Sequence, residues 1–260
     1  MKNKFCITLI FNLLAVGLFT QEKYFVDTEN ILTKKEKIAI ESAMQYQSDF
    51  YNRLFSEKSV NHSGIKFVIA NNLTEYVSLQ SKYGFFKRNS SGFYSSKDST
   101  VVIFNDKKSN ANNFLRACYH ELSHVLLHIH VGENDIPAWF IEGVANYHEK
   151  MSYDKKKMTH RVNSYYIERV KTLIALKDID LTEFVKWDYQ KFSTESFTQE
   201  SYGYAIGYCM VLFLMQQSED KAFDIFRNLF NEDSTIEVFD EYYSGGFSKF
   251  EKDFMVRFGK

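Results

Sequence analysis

The sequence predicts an α+β fold, with a small α/β lobe in its first part and a mostly helical lobe after it. Apolar side chains recur at helical spacing in residues 33–55 and 73–82. Residues 65–70 and 100–104 are instead short apolar runs rich in β-branched side chains, which is typical of strands. From residue 112 onward, nearly every apolar pattern has helical spacing. Helices and strands therefore alternate only in the first part of the chain.

The helices predicted in the second part include one that begins near Pro137 and others over residues 112–130, 162–176, 181–189, 204–217, 221–230 and 247–258. No repeat and no long linker interrupts the chain, so residues 21–260 predict one domain, divided into lobes at 21–108 and 109–260. With 45% hydrophobic residues, this length can bury a sizeable core. A formal net charge of −1 gives no basic footprint for nucleic acid. We expect a cleft between the lobes.

Residues 1–20 have the layout of a secretory signal peptide. Lys2 and Lys4 give a basic start, residues 5–19 are almost entirely apolar, and polar sequence follows. The apolar run is shorter than the about 20 residues that a membrane span needs. We therefore expect export to the periplasm or the extracellular space, with no stable membrane span after cleavage. The alternative is an uncleaved N-terminal anchor.

His120 and His124 stand four residues apart in the helical pattern, and Glu121 directly follows the first of them. On a helix such a pair projects from one face, one turn apart, so both imidazoles can bind one metal ion. Glu121 can then reach a water molecule at that metal and act as a general base. The sequence therefore predicts half of a zinc site. The alternative is two polar residues at the border of the core, each satisfied by a backbone carbonyl.

Glu142 is the candidate for the third ligand. It lies in the apolar run 136–147, where Pro137, the only proline of the chain, suits the first turn of a helix because its missing N–H has no partner there. Three protein ligands leave a coordination position for water, which is typical of catalytic rather than structural zinc sites. The sequence therefore predicts a catalytic zinc site built from His120, His124 and Glu142.

The segment around Glu142 resembles a motif of the gluzincins, zinc metallopeptidases of the peptidase MA clan in which a glutamate on a second helix completes a histidine pair. Residues 139–147 read WFIEGVANY, similar to the W-L-x-E-G-x-A-x-Y of that superfamily and closest to bacterial peptidase-MA-like proteins. Seventeen residues separate His124 from Glu142, slightly fewer than in the aminopeptidase and thermolysin branches, which requires a tight connection. The resemblance runs from about residue 65 onward. It implies a thermolysin-like fold with the zinc site in the cleft between two lobes.

Residues 91–94 and 100–104 resemble the G-F-Y turn and the strand that precede the metal helix in gluzincins. In that superfamily the strand is a sheet edge, to which an extended peptide can add as an extra strand. The resemblance therefore implies an edge strand in the N-terminal lobe. The alternative is an ordinary buried strand, because the apolar side chains of Val101, Ile103 and Phe104 suit an edge strand and an interior strand equally.

Residues 204–214 resemble the gluzincin pattern Y-x-x-[GS] at the start of a buried helix. In that pattern a tyrosine hydroxyl points at the metal and stabilises the oxyanion of the tetrahedral intermediate. The resemblance implies this role for Tyr204. Tyr202 and Tyr208 lie close enough in the sequence to take its place.

The resemblance implies a zinc peptidase that acts on a peptide or protein substrate, with Glu121 as general base. The layout of residues 1–20 predicts its export. The chain lacks the glycine-and-glutamate signature with which gluzincin aminopeptidases hold a free amino terminus, which favours an endopeptidase. One alternative is a zinc-containing binding or scaffolding protein without turnover, and the intact general base argues against it. Another is a zinc hydrolase of a non-peptide bond, which no motif excludes.

We expect supporting roles for a few other side chains. Cys118 and Cys209 lie in apolar helical stretches. We expect them to form either one disulfide or two buried thiols. Asn146, one turn after Glu142, is a candidate hydrogen-bond partner for a ligand imidazole. The histidines for which we expect structural roles are His62, His128, His130, His148 and His160.

Overall fold

The computed structural model describes residues 25–26, 32–56, 65–85, 90–105, 111–132, 135–154, 157–199, 201–230 and 234–260. Within them the chain has the predicted α+β fold, with a small sheet near its start and, apart from one hairpin, helices from residue 111 onward. None of the described helices is both long enough and apolar enough to span a membrane. The predicted signal peptide, residues 1–20, lies outside the described residues.

The elements in chain order are β1 (Phe25–Val26), α1 (Lys34–Leu54), β2 (Lys66–Ala70), α2 (Leu73–Tyr83), β3 (Gly92–Ser95), β4 (Thr100–Phe104), α3 (Ala111–Val131), α4 (Ala138–Glu149), β5 (Met151–Asp154), β6 (Lys157–His160), α5 (Ser164–Leu176), α6 (Leu181–Phe184), α7 (Tyr189–Thr198), α8 (Tyr202–Gln217), α9 (Glu219–Asn228), α10 (Thr235–Tyr242) and α11 (Gly246–Phe258). Most of the predicted helices and strands agree with these bounds to within two residues. The β5–β6 hairpin and α10 were not predicted.

The prediction of one helix over residues 181–189 was wrong, because α6 ends at Phe184 and α7 begins at Tyr189. The Asp188 side chain accepts a hydrogen bond from the backbone N–H of Lys191 at 2.7 Å. An aspartate in this N-cap position starts a new helix, since it satisfies a backbone donor that has no partner within the helix. Tyr189 is thereby the first residue of α7.

The main sheet has the strand order β1-β2-β4-β3, with β3 antiparallel to β4 and the other pairs parallel. Val101 and Ile103 of β4 belong to the large core with α1 and α3, whereas Val102 packs in a smaller core with Tyr76 of α2. The expectation that residues 100–104 form a sheet edge was wrong, because a strand that is apolar on both faces favours an interior position. In the described part of the sheet, the edge strand beside α3 is β3.

Helices α4 and α8 cross at two glycines in the centre of the helical lobe. A Cβ atom built on Gly143 would lie 2.6 Å from the carbonyl oxygen of Gly207, and one on Gly207 would lie 2.7 Å from the carbonyl oxygen of Trp139. The two backbones are therefore too close for any side chain to fit between them. Because Glu142 precedes Gly143 and Tyr204 lies one turn before Gly207, this crossing also sets the separation of these two candidate site residues.

Cys118 of α3 and Cys209 of α8 are both buried and free, so the alternative of two thiols is confirmed. Burial raises the pKa of the Cys118 thiol far above its usual range, and nearby carboxylates act in the same direction. The thiol therefore stays protonated and packs as a small apolar side chain.

Gly143→Ala and Gly207→Ala are each expected to lower the free energy of unfolding by about 1–3 kcal/mol, because the added methyl group forces α4 and α8 apart. Helix propensity acts in the opposite direction, since alanine is favoured over glycine by about 1 kcal/mol in a helix. Urea denaturation followed by circular dichroism measures the net change in the free energy of unfolding. A variant more stable than the wild type by the about 1 kcal/mol that helix propensity alone predicts would show that the two helices do not touch at these glycines.

Candidate metal centre

Helix α3 carries both histidines of the candidate metal site on its cleft-facing side. Its opposite side buries Leu122 and Val125 completely, which fixes the rotation of the helix against the core. The side chains of His120 and His124 are largely buried, with 18% and 16% of their surface exposed, and their Nε2 atoms lie 3.1 Å apart. The two rings are nearly perpendicular to one another, and both line the cleft.

Helix α4 brings the third predicted ligand to the same point. Pro137 is its N-cap, and the carbonyl of Pro137 accepts the backbone N–H groups of Phe140 and Ile141. Glu142 follows one turn later and is only 2% exposed. Its Oε2 atom lies 3.4 Å from Nε2 of His120 and 3.9 Å from Nε2 of His124.

These three atoms fit the geometry of a metal ion such as zinc. Zinc–ligand distances of about 2.0–2.1 Å in a tetrahedral site place any two ligand atoms about 3.3–3.4 Å apart, and the observed separations of 3.1, 3.4 and 3.9 Å surround that value. Oε2 of Glu142 is buried and has no hydrogen-bond partner among the described residues. A buried carboxylate oxygen in that state is suited to a cation. His120, His124 and Glu142 are therefore close enough to hold a metal ion together.

Glu142 and His120 form a charged pair when no metal ion is bound. Burial acts to raise the pKa of Glu142, but the charges of His124 and His120 outweigh it and lower the pKa to about 2. Burial acts to lower the pKa of His120, yet the surrounding carboxylates, Glu142 foremost, raise it to about 9. Both groups are therefore charged near pH 7, and a metal ion would take the place of the His120 proton.

Glu149 and Tyr189 support the cluster, although no sequence pattern indicated either residue. Oε2 of Glu149, two turns after Glu142 on α4, lies 3.8 Å from Nδ1 of His120. A carboxylate on the second ring nitrogen orients a metal-binding imidazole. The hydroxyl of Tyr189 donates a hydrogen bond to Oε1 of Glu142 at 2.8 Å. The amide of Asn146, which we expected near an imidazole, instead donates to the carbonyl of Glu142.

Glu121 lines the cleft beside the histidine pair, where β3 passes over α3. A Cβ atom built on Gly92 of β3 would lie 2.9 Å from Cγ of Glu121 and 2.8 Å from Cδ1 of Ile103. The glycine of the predicted G-F-Y pattern therefore provides the space that the Glu121 side chain occupies. Its role was not foreseen, since the contact joins two distant parts of the sequence.

Of the three candidate tyrosines, only Tyr204 lines the cleft. The hydroxyl of Tyr202 donates to the carbonyl of Asp178 at 2.8 Å, and the hydroxyl of Tyr208 accepts the backbone N–H of Asn163 at 2.8 Å. Both groups are thus engaged in structural hydrogen bonds. Burial, followed by the nearby carboxylates, raises the pKa of Tyr204, so its hydroxyl stays protonated and can donate.

The cleft itself lies between the two lobes, as predicted, and has a volume of about 840 Å³. The edge strand β3 forms one wall with Gly92 and Tyr94, and Tyr166, Tyr189 and Tyr204 contribute to the opposite side. This volume lies within the range of about 300–1,000 Å³ that is typical of ligand pockets.

The other histidines lie apart from the metal cluster. Nδ1 of His148 pairs with the Ser123 hydroxyl at 3.0 Å, and His130 and His160 stack on aromatic rings. His128 also lines the cleft, next to the ring of Tyr94, but is not one of the three grouped ligands. The remaining predicted structural histidine, His62, lies outside the described residues.

The sequence of this part of the chain matches a known family. Residues 116–234 are similar to the family described as "Protein of unknown function (DUF1570)". The matched segment contains all three candidate ligands together with Glu121, Glu149, Tyr189 and Tyr204. No curated protein matches the chain. The similarity therefore places the whole candidate centre inside one family segment without assigning an activity to it.

The purified protein is expected to hold about one zinc ion per chain, because three ligands of suitable type converge. His124→Ala and Glu142→Ala should each lose most of the metal. His128→Ala is the matched control, since His128 lines the same cleft on the same helix and should retain it. Metal analysis of the four proteins decides the assignment. Undiminished zinc in either ligand variant would contradict it.

Metal binding near pH 7 is expected to release about one proton from His120, because a ligand imidazole must be neutral and this ring keeps its proton up to a pKa of about 9. Metal affinity should therefore rise with pH up to that value and then level off. Titration calorimetry in two buffers of different ionisation enthalpy measures the released proton. Glu149→Gln removes one charge that raises the pKa of His120 and should reduce the release near pH 8. Identical heats in both buffers would show that His120 is already neutral.

Proposed function

We propose that the protein is an exported zinc-dependent peptidase, most simply an endopeptidase. The observation that carries the proposal is the cluster of two imidazoles and one buried carboxylate at the floor of a large cleft, with Glu121 beside it. Three protein ligands leave room for water and substrate at the metal, whereas a structural zinc site has four. Zinc bound there supplies Lewis-acid activation of a water molecule and of the scissile carbonyl.

Glu121 acts as the general base in this proposal. Its carboxylate accepts a proton from the attacking water and then delivers that proton to the leaving amine, so it returns to its starting state after each turnover. The position beside Gly92 supports this role, since this glycine has no side chain that would crowd Glu121, which lines the cleft. A protein that uses zinc only for structure or binding has no need for such a base.

Tyr204 donates a hydrogen bond to the oxyanion that develops on the substrate carbonyl. Its raised pKa supports this role, because the group must remain a donor at the pH of the reaction. The structural hydrogen bonds of Tyr202 and Tyr208 argue against either of them as the oxyanion donor.

An extended peptide is the substrate that the walls of the cleft favour. The edge strand β3 lies along one wall and pairs with β4 on only one side in the described part of the sheet. An edge of this kind offers backbone groups that recognise a peptide main chain irrespective of its sequence. This supports hydrolysis of a peptide bond over hydrolysis of another carbonyl compound.

Glu121→Gln is expected to keep the fold and the zinc but to lose about a hundredfold to ten-thousandfold in hydrolysis of an unfolded protein substrate. Tyr204→Phe should bind zinc normally and lose about a hundredfold or more, as after removal of one oxyanion donor. Tyr202→Phe is the control, because its hydroxyl bonds to Asp178 outside the site, and it should retain the activity.

Mass spectra of the products then separate the cleavage types, since an endopeptidase yields internal fragments and an aminopeptidase shortens the substrate stepwise from its amino terminus. If the wild type and Glu121→Gln both bound zinc and were equally inert on a broad peptide library, the proposal would fail in favour of a zinc-containing binding protein.

A further inference from the structure

The two oxygen atoms of the Glu142 carboxylate have different surroundings. Oε1 accepts the hydrogen bond from the Tyr189 hydroxyl at 2.8 Å. Oε2 has no hydrogen-bond partner among the described residues and faces the imidazoles of His120 and His124. The carboxylate is therefore held with one oxygen toward α7 and the other toward the metal position.

This asymmetry decides how the carboxylate would bind a metal ion. A free carboxylate can rotate and present either one oxygen or both, and binding through both would fill an additional coordination position. With Oε1 engaged by Tyr189, only Oε2 points at the histidine pair. One oxygen together with two imidazole nitrogens makes three ligands and leaves a position for water and substrate.

Tyr189 is itself held in place at the start of α7. The preceding Asp188 caps this helix through the backbone N–H of Lys191, and Phe192, one turn later, is buried against the ring of Tyr204. Tyr189 is nevertheless 53% exposed, which shows that its ring does not serve as core packing.

We propose that Tyr189 is a positioning residue that fixes Glu142 as a ligand through a single oxygen, a role that rests on the proposed function of the metal centre. It acts on the metal through Glu142, whereas Tyr204 in the proposed mechanism acts on the substrate. The oxygen that Tyr189 holds is the one turned away from the histidines, so removal of its hydroxyl frees the carboxylate to rotate.

Tyr189→Phe removes only the hydroxyl and tests this role through metal affinity. Zinc binding, measured by competition with a coloured chelator, should weaken about tenfold to a hundredfold, as after loss of other hydrogen bonds to metal ligands. Tyr166→Phe is the matched control: Tyr166 also lines the cleft, and among the described hydrogen bonds its hydroxyl makes none to Glu142. It should bind zinc as the wild type does.

Cobalt(II) substitution gives a second readout that a loss of stability alone would not change. Visible absorption is stronger for four-coordinate than for five-coordinate cobalt(II), so wild type and Tyr166→Phe should give the strong spectrum. Tyr189→Phe, saturated with cobalt(II), should give a weaker one, because the released carboxylate can bind through both oxygens.

The outcomes separate this inference from the proposed function. If the wild type bound zinc and Tyr189→Phe bound it equally tightly with an unchanged cobalt(II) spectrum, the inference would be overturned and the proposed function would stand. Unchanged metal binding with a large loss of hydrolysis would also overturn it, since Tyr189 would then act on the substrate. Absence of zinc binding in the wild type would overturn both.

Discussion

The burial of an ionised carboxylate in the helical lobe is the constraint around which the candidate site is organised. Glu142 is 2% exposed, and a charge in such a place is costly unless partners replace its lost water. Two imidazoles and a tyrosine hydroxyl surround it. In the metal-free chain the protonated His120 supplies part of the compensating charge, and a divalent metal ion would supply more. The same arrangement therefore stabilises the carboxylate and prepares it for a cation.

The packing of the helical lobe and the geometry of the candidate site both depend on glycines at close contacts. Gly143 allows the backbone of α8 to touch α4, and its neighbour Glu142 projects toward α3. On the other side of the cleft, Gly92 leaves the space next to Glu121. At Gly143 a glycine lets two helix backbones touch, and at Gly92 a glycine lets a strand pass close to a functional side chain. The separations of the site residues thus depend on contacts that any larger side chain would disturb.

The sequence predicted the parts of this structure that depend on local periodicity and spacing. Three side chains that the structure brings together were predicted in this way. The four-residue spacing indicated His120 and His124, and the helix that begins after Pro137 indicated Glu142. The sequence did not predict the interior position of β4, since strand order depends on pairing between distant segments. It also missed Tyr189, because the hydrogen bond to Glu142 spans 47 positions and follows no pattern.

We expect His120, His124 and Glu142 to bind one metal ion, with Glu142 contributing a single oxygen. Anomalous diffraction from crystals grown with zinc, recorded on both sides of the zinc absorption edge, would locate this ion. One strong peak is expected about 2.0–2.2 Å from Nε2 of both histidines and from Oε2 of Glu142. A zinc peak at other side chains, or none in the cleft of zinc-saturated protein, would contradict this expectation.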